Sequence, residues 1–322
     1  METDPDQTWE CVIVGGGAAG LSAALVLGRA RRRTLLVDAG RQSNLAAHGI
    51  GGLLGHDTRP APDLYAAGHT ELAAYPTVEV RRGEVVHGRR VPGAGFALDL
   101  ADGRSVTARR VLLATGMDYR PPALAGLPPL WGRSVFHCPF CHGWEVRDQP
   151  LAVLDRGDTG AQRAVLLGAW SADVTLLTDG PPGLDDARAA QLAAAGVTVD
   201  DRHVAALRGD GDTLRAAVFA DGAERPLGGL LVPVTLHQRT ALAHELGAAI
   251  APPGHLSAET VQVDALSATS VAGLHAAGDL CGQMPTVANA IAAGASAAAM
   301  IVHGLMAEAA AAAAETSPAG VG

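Results

Sequence analysis

The first 38 residues contain the pattern that most constrains the fold of this chain. A short apolar run at Cys11–Val14 leads directly into a glycine-rich turn, Gly15–Gly20, and an apolar helical pattern follows. The next apolar run, Thr34–Asp38, ends in an acid roughly twenty residues beyond the first glycine of the turn. Strand, turn, helix, strand and acid in this order predict an α/β unit that binds a dinucleotide.

Each residue type in this pattern has a physical task. Gly15 permits the sharp turn, Gly17 lets the backbone approach a pyrophosphate, and Gly20 lets the helix pack closely on the strand. The N-terminus of the helix then faces the phosphate charge. Asp38 would accept a ribose hydroxyl and would repel a 2′-phosphate, so the site suits FAD or NAD and disfavours NADP.

Length, charge and composition narrow the class of protein. At 322 residues the chain exceeds the size at which one core usually stops growing, so two domains are expected. Every strong base is an arginine, and the absence of lysine excludes Schiff-base chemistry and a Walker-type phosphate site. A net charge of −9 without a basic stripe argues against a nucleic acid or an anionic membrane as partner.

The two ends of the chain favour a cytoplasmic location. The start, Met1–Glu10, is acidic and polar, so a signal peptide is not expected. No apolar run is expected to span a membrane, because His303 and Glu308 interrupt the alanine-rich segment Met300–Ala314. In the cytoplasm, four cysteines favour redox chemistry over a framework of structural disulfides.

A second α/β pattern follows a proline-rich connection at 121–129. Leu151–Leu154 predicts a strand, a helix ends near Trp170, and Val174–Thr178 predicts the next strand, with Ala216–Phe219 expected in the same sheet. The fold class is therefore predicted to be α/β, with two Rossmann-like, three-layer nucleotide-binding domains, the second inserted in the first. The predicted segments are 1–118, 119–239, 240–316 and a tail at 317–322.

Shorter strands are predicted between these patterns. Phe96–Leu100 and a strand around Val106 flank Asp102-Gly103, a dipeptide typical of a hairpin turn. Arg110–Gly116 predicts a further buried strand that ends in a turn of small residues.

The segment from Ser134 to Glu145 carries the second chemical signal, a Cys-x-x-Cys pair formed by Cys138 and Cys141. Two thiols at this spacing can close a strained disulfide that opens again, and a nearby flavin or nicotinamide would complete a redox circuit. His142 titrates near neutrality and could accept a thiol proton. A zinc site is disfavoured, since neighbouring residues cannot all converge on one ion and the segment has no second cysteine pair.

Together with Ala114–Gly116 and Ala276–Asp279, these motifs resemble the thioredoxin reductase family of flavoproteins. The resemblance covers nearly the whole chain and implies an FAD-binding domain, 1–118 and 240–316, interrupted by a nicotinamide-binding domain that carries the cysteine pair. It also implies that Cys141 faces the flavin, that Cys138 exchanges with substrate, and that the protein is a homodimer. By position, it assigns FAD contacts to Gly15, Gly17, Ala18, Ala19, Gly20, Asp38, Ala39, Asn44, His48, Ala114, Thr115, Gly116, Gly278, Asp279, Thr286, Val287 and Ala288.

Three departures from the family pattern change the expected function. Asp155 stands where the second glycine-rich turn should begin, and Thr178–Gly180 replaces the arginine pair that holds the 2′-phosphate of NADPH. His142 replaces an aspartate. With these changes the chain resembles the dithiol oxidases of natural-product pathways, which close disulfides in gliotoxin-, holomycin- and romidepsin-type compounds. That resemblance implies oxidation of a small-molecule or peptide dithiol, with electrons passing through the cysteine pair and FAD to O2, giving H2O2.

Rival interpretations of these residues stay open at the level of sequence. Asp179 could bind an NAD ribose, so the chain could be an NAD(P)H-dependent thioredoxin reductase. A ferredoxin-driven reductase and a flavin redox sensor without turnover also stay open. Among the remaining candidates, Cys11 and Cys281 are expected to be structural, and His137 is a weaker catalytic candidate than His142. Two roles, lining a pocket or only packing, stay open for Trp131, Phe136, Phe140 and Trp144. Two others, contact with substrate or a hinge, stay open for His237–Arg239.

Overall fold

The computed structural model describes residues 8–316, which form two compact units. The first unit comprises residues up to 43, 62–118 and those from 236 onward; the second comprises 44–61 and 119–235. The chain passes from the first unit to the second after residue 118 and returns after residue 235, where the sequence places these divisions at 118 and 239. Residues 44–61, which the sequence places in the first domain, group with the second unit. The predicted tail, 317–322, lies outside the described residues.

The first unit is built on a seven-stranded sheet in the order β3-β2-β1-β6-β5-β4, with β19 paired to β6. Parallel pairing joins β1 to β2 and β6, and β2 to β3. The elements of this unit are β1 (Trp9–Val14), α1 (Ala18–Arg29), β2 (Thr34–Asp38), α2 (Ala61–Leu72), β3 (Val78–Arg82), β4 (Val85–Val91), β5 (Gly95–Leu100), β6 (Ser105–Leu113), β17 (Ile250–Ala251), β18 (Thr260–Val261), β19 (Leu274–Ala276), α6 (Leu242–Glu245) and α7 (Val287–Thr316).

The predicted N-terminal pattern is confirmed by this unit. All five residues of β2 are buried, as expected for a parallel strand covered on both faces. A side chain at Gly20 would overlap the carbonyl oxygen of Gly15, so helix and turn meet at a distance only glycine allows. The Asp102-Gly103 hairpin is also confirmed, but the predicted strands at Val106 and Arg110 are one continuous strand, β6.

Helix α7 corrects the expectation that no apolar run is long enough to cross a membrane. It has 30 residues, and by length and composition alone its stretch Val287–Glu315 could span one. Alanine keeps the helix apolar on average despite the acid Glu308. In the structure Ala297 and Ile301 are fully buried, and the Ser22 hydroxyl of α1 donates to the Ile291 carbonyl at 2.8 Å. The helix is therefore buried over only part of its length, and residues 306–315 are exposed. A core helix of a soluble protein passes the same test of length and composition.

The second unit contains a five-stranded parallel sheet in the order β11-β10-β9-β15-β8 and a separate antiparallel sheet, β12-β13-β14. The predicted strand at Ala216–Phe219 belongs to the antiparallel sheet, so the prediction that it completes the parallel one is wrong. The elements are β8 (Val135–Phe136), α3 (Pro139–His142), β9 (Leu151–Leu154), α4 (Gly157–Leu167), β10 (Val174–Leu177), α5 (Asp186–Ala194), β11 (Thr198–Asp200), β12 (Val204–Asp210), β13 (Thr213–Phe219), β14 (Glu224–Pro226) and β15 (Gly229–Leu231). Two connecting strands, β7 (Met117–Arg120) and β16 (Thr235–Gln238), form a two-stranded sheet.

Candidate active site

Three predicted cofactor segments of the first unit leave its sheet at the same edge. Strands β1, β6 and β19 are parallel neighbours, and their carboxyl ends are in register. The Ala114 N–H donates to the Val14 carbonyl at 2.8 Å, and the Ala277 N–H donates to the Leu113 carbonyl at 3.0 Å. The segments Gly15–Gly20, Ala114–Gly116 and Gly278–Asp279 therefore begin side by side, where open α/β sheets bind ligands.

The glycine-rich turn fits a diphosphate. Gly15 has a φ of 111°, and a side chain there would overlap the Ala114 carbonyl. Gly17 is the N-cap of α1, and a Cβ there would meet only the Cγ of Gln42, 3.7 Å away. Because glycine offers no capping side chain, the first-turn N–H groups of α1 are left for an anion. This open cradle is what the pyrophosphate of FAD needs.

Asp38 is buried at the end of β2 and is already oriented by its neighbours. It accepts hydrogen bonds from the Gly40 N–H at 2.9 Å and from Gln42 Nε2 at 3.2 Å, and His69 Nε2 lies 3.5 Å from its second oxygen. Gln42 also donates to the Gly16 carbonyl at 3.1 Å, which ties the acid to the turn. The sequence did not predict that Gln42 and His69 contact Asp38. The contact of Gln42 was predictable, because it follows the acid by four residues, whereas no local pattern indicates His69.

The last predicted cofactor segment, which begins at Gly278, lies against helices α1 and α7. Gly278 has a φ of 81°, and a Cβ there would lie 3.2 Å from the Cβ of Ala19. Asp279 opens a short 3-10 turn that ends at Cys281, whose pKa is raised to about 12 by burial and by the Asp279 charge. The Thr286 hydroxyl accepts the Asn289 N–H at 3.1 Å and so caps α7, which begins at Val287. These residues fit the predicted FAD site as well.

No disulfide joins Cys138 and Cys141 in the structure, and the two thiols of this pair are inequivalent. Cys138 is the N-cap of α3 without a side-chain capping hydrogen bond, and its carbonyl accepts the Cys141 N–H at 3.3 Å. The hydrogen bond from the Cys141 thiol is the main cause that lowers the Cys138 pKa to about 7. The same bond, with burial, raises the pKa of Cys141. Cys138 is therefore the more acidic thiol of the pair.

His142 is held as a neutral ring. It stacks on the buried Phe136 with 5.6 Å between ring centroids and 8° between planes. Burial lowers the His142 pKa below its usual value, and the nearby backbone of Cys138 and Gly132 and the charge of Glu145 offset this only in part. Both ring nitrogens are buried, and neither makes a hydrogen bond of good geometry in the described part of the chain. An unprotonated imidazole next to Cys141 can accept a proton.

The aromatic residues around the pair fall into two groups. Phe136 is fully buried and packs in the core, whereas Phe140 and Trp144 are 69% and 63% exposed. Trp131 is half-buried and lies 5.8 Å from the ring of His137. Burial lowers the His137 pKa to about 4, so this ring is neutral as well.

A cavity of about 640 Å³ lies along the start of the second unit. Its walls include Tyr119, whose ring is 4.9 Å from that of His137, and Trp131. Every lining residue is uncharged, and three are prolines, so the walls are apolar and stiff. Its volume lies within the usual range for small-molecule sites.

The second glycine-rich turn is occupied by groups of the chain itself. The Asp155 carboxylate accepts the Arg156 N–H at 2.8 Å and Arg163 Nη1 at 2.6 Å. The Gly157 N–H, the first of α4, donates to the Pro182 carbonyl at 2.9 Å. Two N–H groups at this helix end, those of Arg156 and Gly157, thus have internal acceptors, whereas Gly17 offers no capping side chain to the first turn of α1.

Asp179, two residues after the end of β10, also has hydrogen-bond partners within the chain. Its backbone adopts a φ of 50°, and its side chain accepts the Val204 N–H at 2.9 Å. Arg156 Nη2 donates to the Asp179 carbonyl at 2.9 Å. The neighbouring Thr178 hydroxyl is buried and donates to the Gly180 carbonyl at 2.6 Å. The Asp179 side chain therefore connects the segment after β10 to the start of β12.

A family model described as pyridine nucleotide-disulphide oxidoreductase matches residues 9–294. The chain belongs to this family. The oxidoreductase is 28% identical to the thioredoxin reductase tcpT of Claviceps purpurea over 88% of this chain and 89% of the relative. Among solved structures, HlmI matches with a TM-score of 0.86 and 33% identity, covering 98% of this chain and 97% of HlmI. An oxidoreductase from Agrobacterium tumefaciens matches with a TM-score of 0.86 and 34% identity, covering 93% and 99% of the two chains.

These matches confirm the predicted resemblance and the predicted fold class. The protein is a thioredoxin reductase-like disulfide oxidoreductase, and its family typically depends on a flavin. Enzymes of this kind act on disulfide substrates through a redox-active pair. The two cysteines of α3 are the candidates for that pair in the oxidoreductase.

Two predicted flavin contacts, Asn44 and His48, belong to the second unit. Asn44 belongs to the short 3-10 turn Ser43–Ala46, and the His48 ring pairs with Asp212, 3.1 Å away. Cys11 is fully buried in β1, as predicted, and its pKa is raised to about 12 by burial. Among residues 8–316, no three His, Cys, Asp or Glu side chains are placed to hold a metal ion.

Proposed function

We propose that this oxidoreductase is an FAD-dependent dithiol oxidase, which forms a disulfide in a small dithiol and uses O2 as the final acceptor. The balanced reaction takes two thiols and O2 to one disulfide and H2O2. The observation that carries the proposal is the internal occupation of the α4 N-terminus by Asp155 and Pro182. A nicotinamide dinucleotide would have to displace these acceptors and bring its negative charge to a carboxylate, so electrons are expected from the thiol side.

The cysteine pair can carry out the exchange with known thiol chemistry. A substrate thiolate attacks Sγ of Cys138 in the oxidised pair, the bond between the cysteines breaks, and Cys141 leaves as the thiolate. The second substrate thiolate then attacks the substrate sulfur of the mixed disulfide and releases Cys138. Once the Cys141 thiolate has taken up a proton, its thiol lowers the Cys138 pKa to about 7, which makes Cys138 the better leaving group and favours closure of the substrate disulfide.

His142 supplies the proton acceptor for these steps. Its ring is neutral at physiological pH and can take the proton of a substrate thiol before attack. Bound FAD would supply the two-electron acceptor that reoxidises the cysteines and delivers the electrons to O2. The residues that would hold it are the glycines of the α1 turn, Asp38 and Asp279.

The uncharged cavity beside His137 supports a small substrate with an apolar body. Tyr119 and Trp131 offer ring faces, and no lining residue carries a charge. Such a cavity suits a compact organic dithiol better than the polar surface of a protein.

The deciding experiment compares electron donors for the FAD-loaded protein. With air present, a small dithiol such as dithiothreitol is expected to drive steady O2 uptake and equal H2O2 release. Without air, NADPH and NADH are expected to leave the flavin oxidised, because the α4 N-terminus has internal acceptors. Rapid flavin bleaching by either nucleotide, or no O2 uptake with dithiol, would overturn the proposal; bleaching would favour a thioredoxin reductase.

Replacing His142 with phenylalanine should separate the base from the packing. The substituted ring can still stack on Phe136, but it cannot accept a proton, so turnover at neutral pH should fall by about a hundredfold. The loss should shrink as pH rises toward the ordinary thiol pKa of about 8.5, where substrate thiols ionise unaided. The measurement is the pH profile of kcat/KM for O2 uptake. If the variant and the parent have the same profile, His142 is not the base.

A further inference from the structure

Residues 49–59 form a closed loop, here named the Gly49–Arg59 loop. The Ile50 N–H donates to the Arg59 carbonyl at 2.9 Å, and the Thr58 N–H donates to the Ile50 carbonyl at 2.9 Å. Inside the loop, the Asp57 carboxylate accepts the Gly52 N–H at 2.8 Å. These bonds give the loop a defined shape of its own.

The loop rests on the backbone of the redox pair. A Cβ built on Gly51 would lie 2.7 Å from the Cys141 carbonyl oxygen and 3.2 Å from its Cα. Glycine is therefore the only residue that allows this approach without a shift of one of the two backbones. The contact places the loop against the residue whose side chain lowers the Cys138 pKa.

A polar cluster anchors the chain just before the loop. Arg133 donates from Nε to the Ala46 carbonyl at 2.7 Å and from Nη1 to the Asp212 carboxylate at 2.8 Å. His48 Nε2 lies 3.1 Å from the same Asp212 oxygen, and Arg133 Nη1 lies 2.7 Å from His48 Nδ1. The Ser134 hydroxyl donates to the Asp212 carbonyl at 2.7 Å and fixes the β12–β13 turn. Arg133, His48 and Asp212 are named the Arg133 clamp.

We propose that the Arg133 clamp is a positioning device for the cysteine pair: it holds the Gly49–Arg59 loop on Cys141 and so maintains the sulfur geometry that presents Cys138 to the substrate. The inference deepens the proposed function, on which it rests for the identity of the exchanging thiol. Isolated surface ion pairs add little stability, so stability alone gives no reason for an arginine, a histidine and an aspartate at this place. Their effect is expected on the chemistry of the pair.

The test measures how readily Cys138 reacts with iodoacetamide as a function of pH, in the reduced, FAD-loaded, full-length protein. The parent should show a midpoint near pH 7. In Arg133→Gln and Asp212→Asn the loop loses its anchor, the Cys141 thiol no longer holds its hydrogen bond, and the midpoint should rise toward about 8.5. Mass spectrometry of the labelled peptide assigns the alkylated sulfur. The titratable groups nearest the pair, His137, His142 and Glu145, are unchanged in these variants, as are His48 and Arg163, whose charges act on the two histidines.

Two further variants make the result specific. Gly51→Ala forces the loop off Cys141 and should raise the midpoint in the same direction. Arg215→Gln removes an exposed arginine of β13 whose ion pair, with Asp210, is unrelated to the clamp, and should leave the midpoint unchanged. Midpoints that stay at the parent value in Arg133→Gln and Asp212→Asn overturn the inference, even if both variants melt earlier. The assay uses no dithiol turnover, O2 or nucleotide, so its outcome is distinct from that of the proposed function.

Discussion

Replacing either Cys138 or Cys141 with serine is expected to lower dithiol-driven O2 uptake by at least about a thousandfold. Both sulfurs are needed because one forms the mixed disulfide and the other leaves and returns. The two variants should differ in what they accumulate. Cys141→Ser keeps the sulfur that meets substrate, so it should trap a mixed disulfide on Cys138 when given an aromatic disulfide. Cys138→Ser should trap far less, because burial still raises the pKa of the remaining Cys141 thiol.

The measurements are O2 uptake and intact mass, and Cys11→Ala is the matched control. Cys11 is a buried thiol in β1, and its loss should cost about 1 kcal/mol of stability without changing turnover. If either serine variant keeps a substantial part of the parent rate, the pair is not the redox centre. If the trapping order is reversed, Cys141 is the exchanging thiol.

Gly15→Ala is expected to release FAD and to lower the melting temperature sharply. The added methyl group would overlap the Ala114 carbonyl, and the φ of 111° is strained for any residue with a side chain. The backbone that shapes the phosphate cradle must therefore move. We expect at least about tenfold weaker FAD retention, since a shift at this turn also displaces the first N–H groups of α1.

Gly103→Ala provides the control for backbone strain without a clash. It has a φ of 84°, but a Cβ there would have no heavy atom within 4 Å. This variant should lose about 1–2 kcal/mol of stability and keep its FAD. The readout is the flavin-to-protein absorbance ratio after gel filtration, followed by thermal unfolding. Full FAD retention by Gly15→Ala would contradict the assignment of this turn as the phosphate cradle.

Local patterns predicted much of the fold and of the candidate site. The β1–turn–α1 pattern, the hairpin at Asp102-Gly103 and the Cys-x-x-Cys spacing all depend on residues close together in the chain. The errors came from choices between distant partners. Ala216–Phe219 has the composition of a strand, but only its pairing with β12 and β14 assigns it to the antiparallel sheet. The apolar length of α7 was underestimated for a different reason. His303 and Glu308 interrupt the apolar run but do not end the alanine-rich helix.

The sequence by itself determined the chemical inventory of this protein: an open glycine turn followed by an acid, a spaced thiol pair with an adjacent histidine, and no lysine. The tertiary structure decided how those groups are used. It gave the N–H groups of the second turn internal acceptors at Asp155 and Pro182, and it buried His142 on Phe136 so that the ring is neutral. The physical reason is that occupancy of a hydrogen-bonding group and the pKa of a side chain depend on neighbours in space, and folding brings those neighbours from distant parts of the chain.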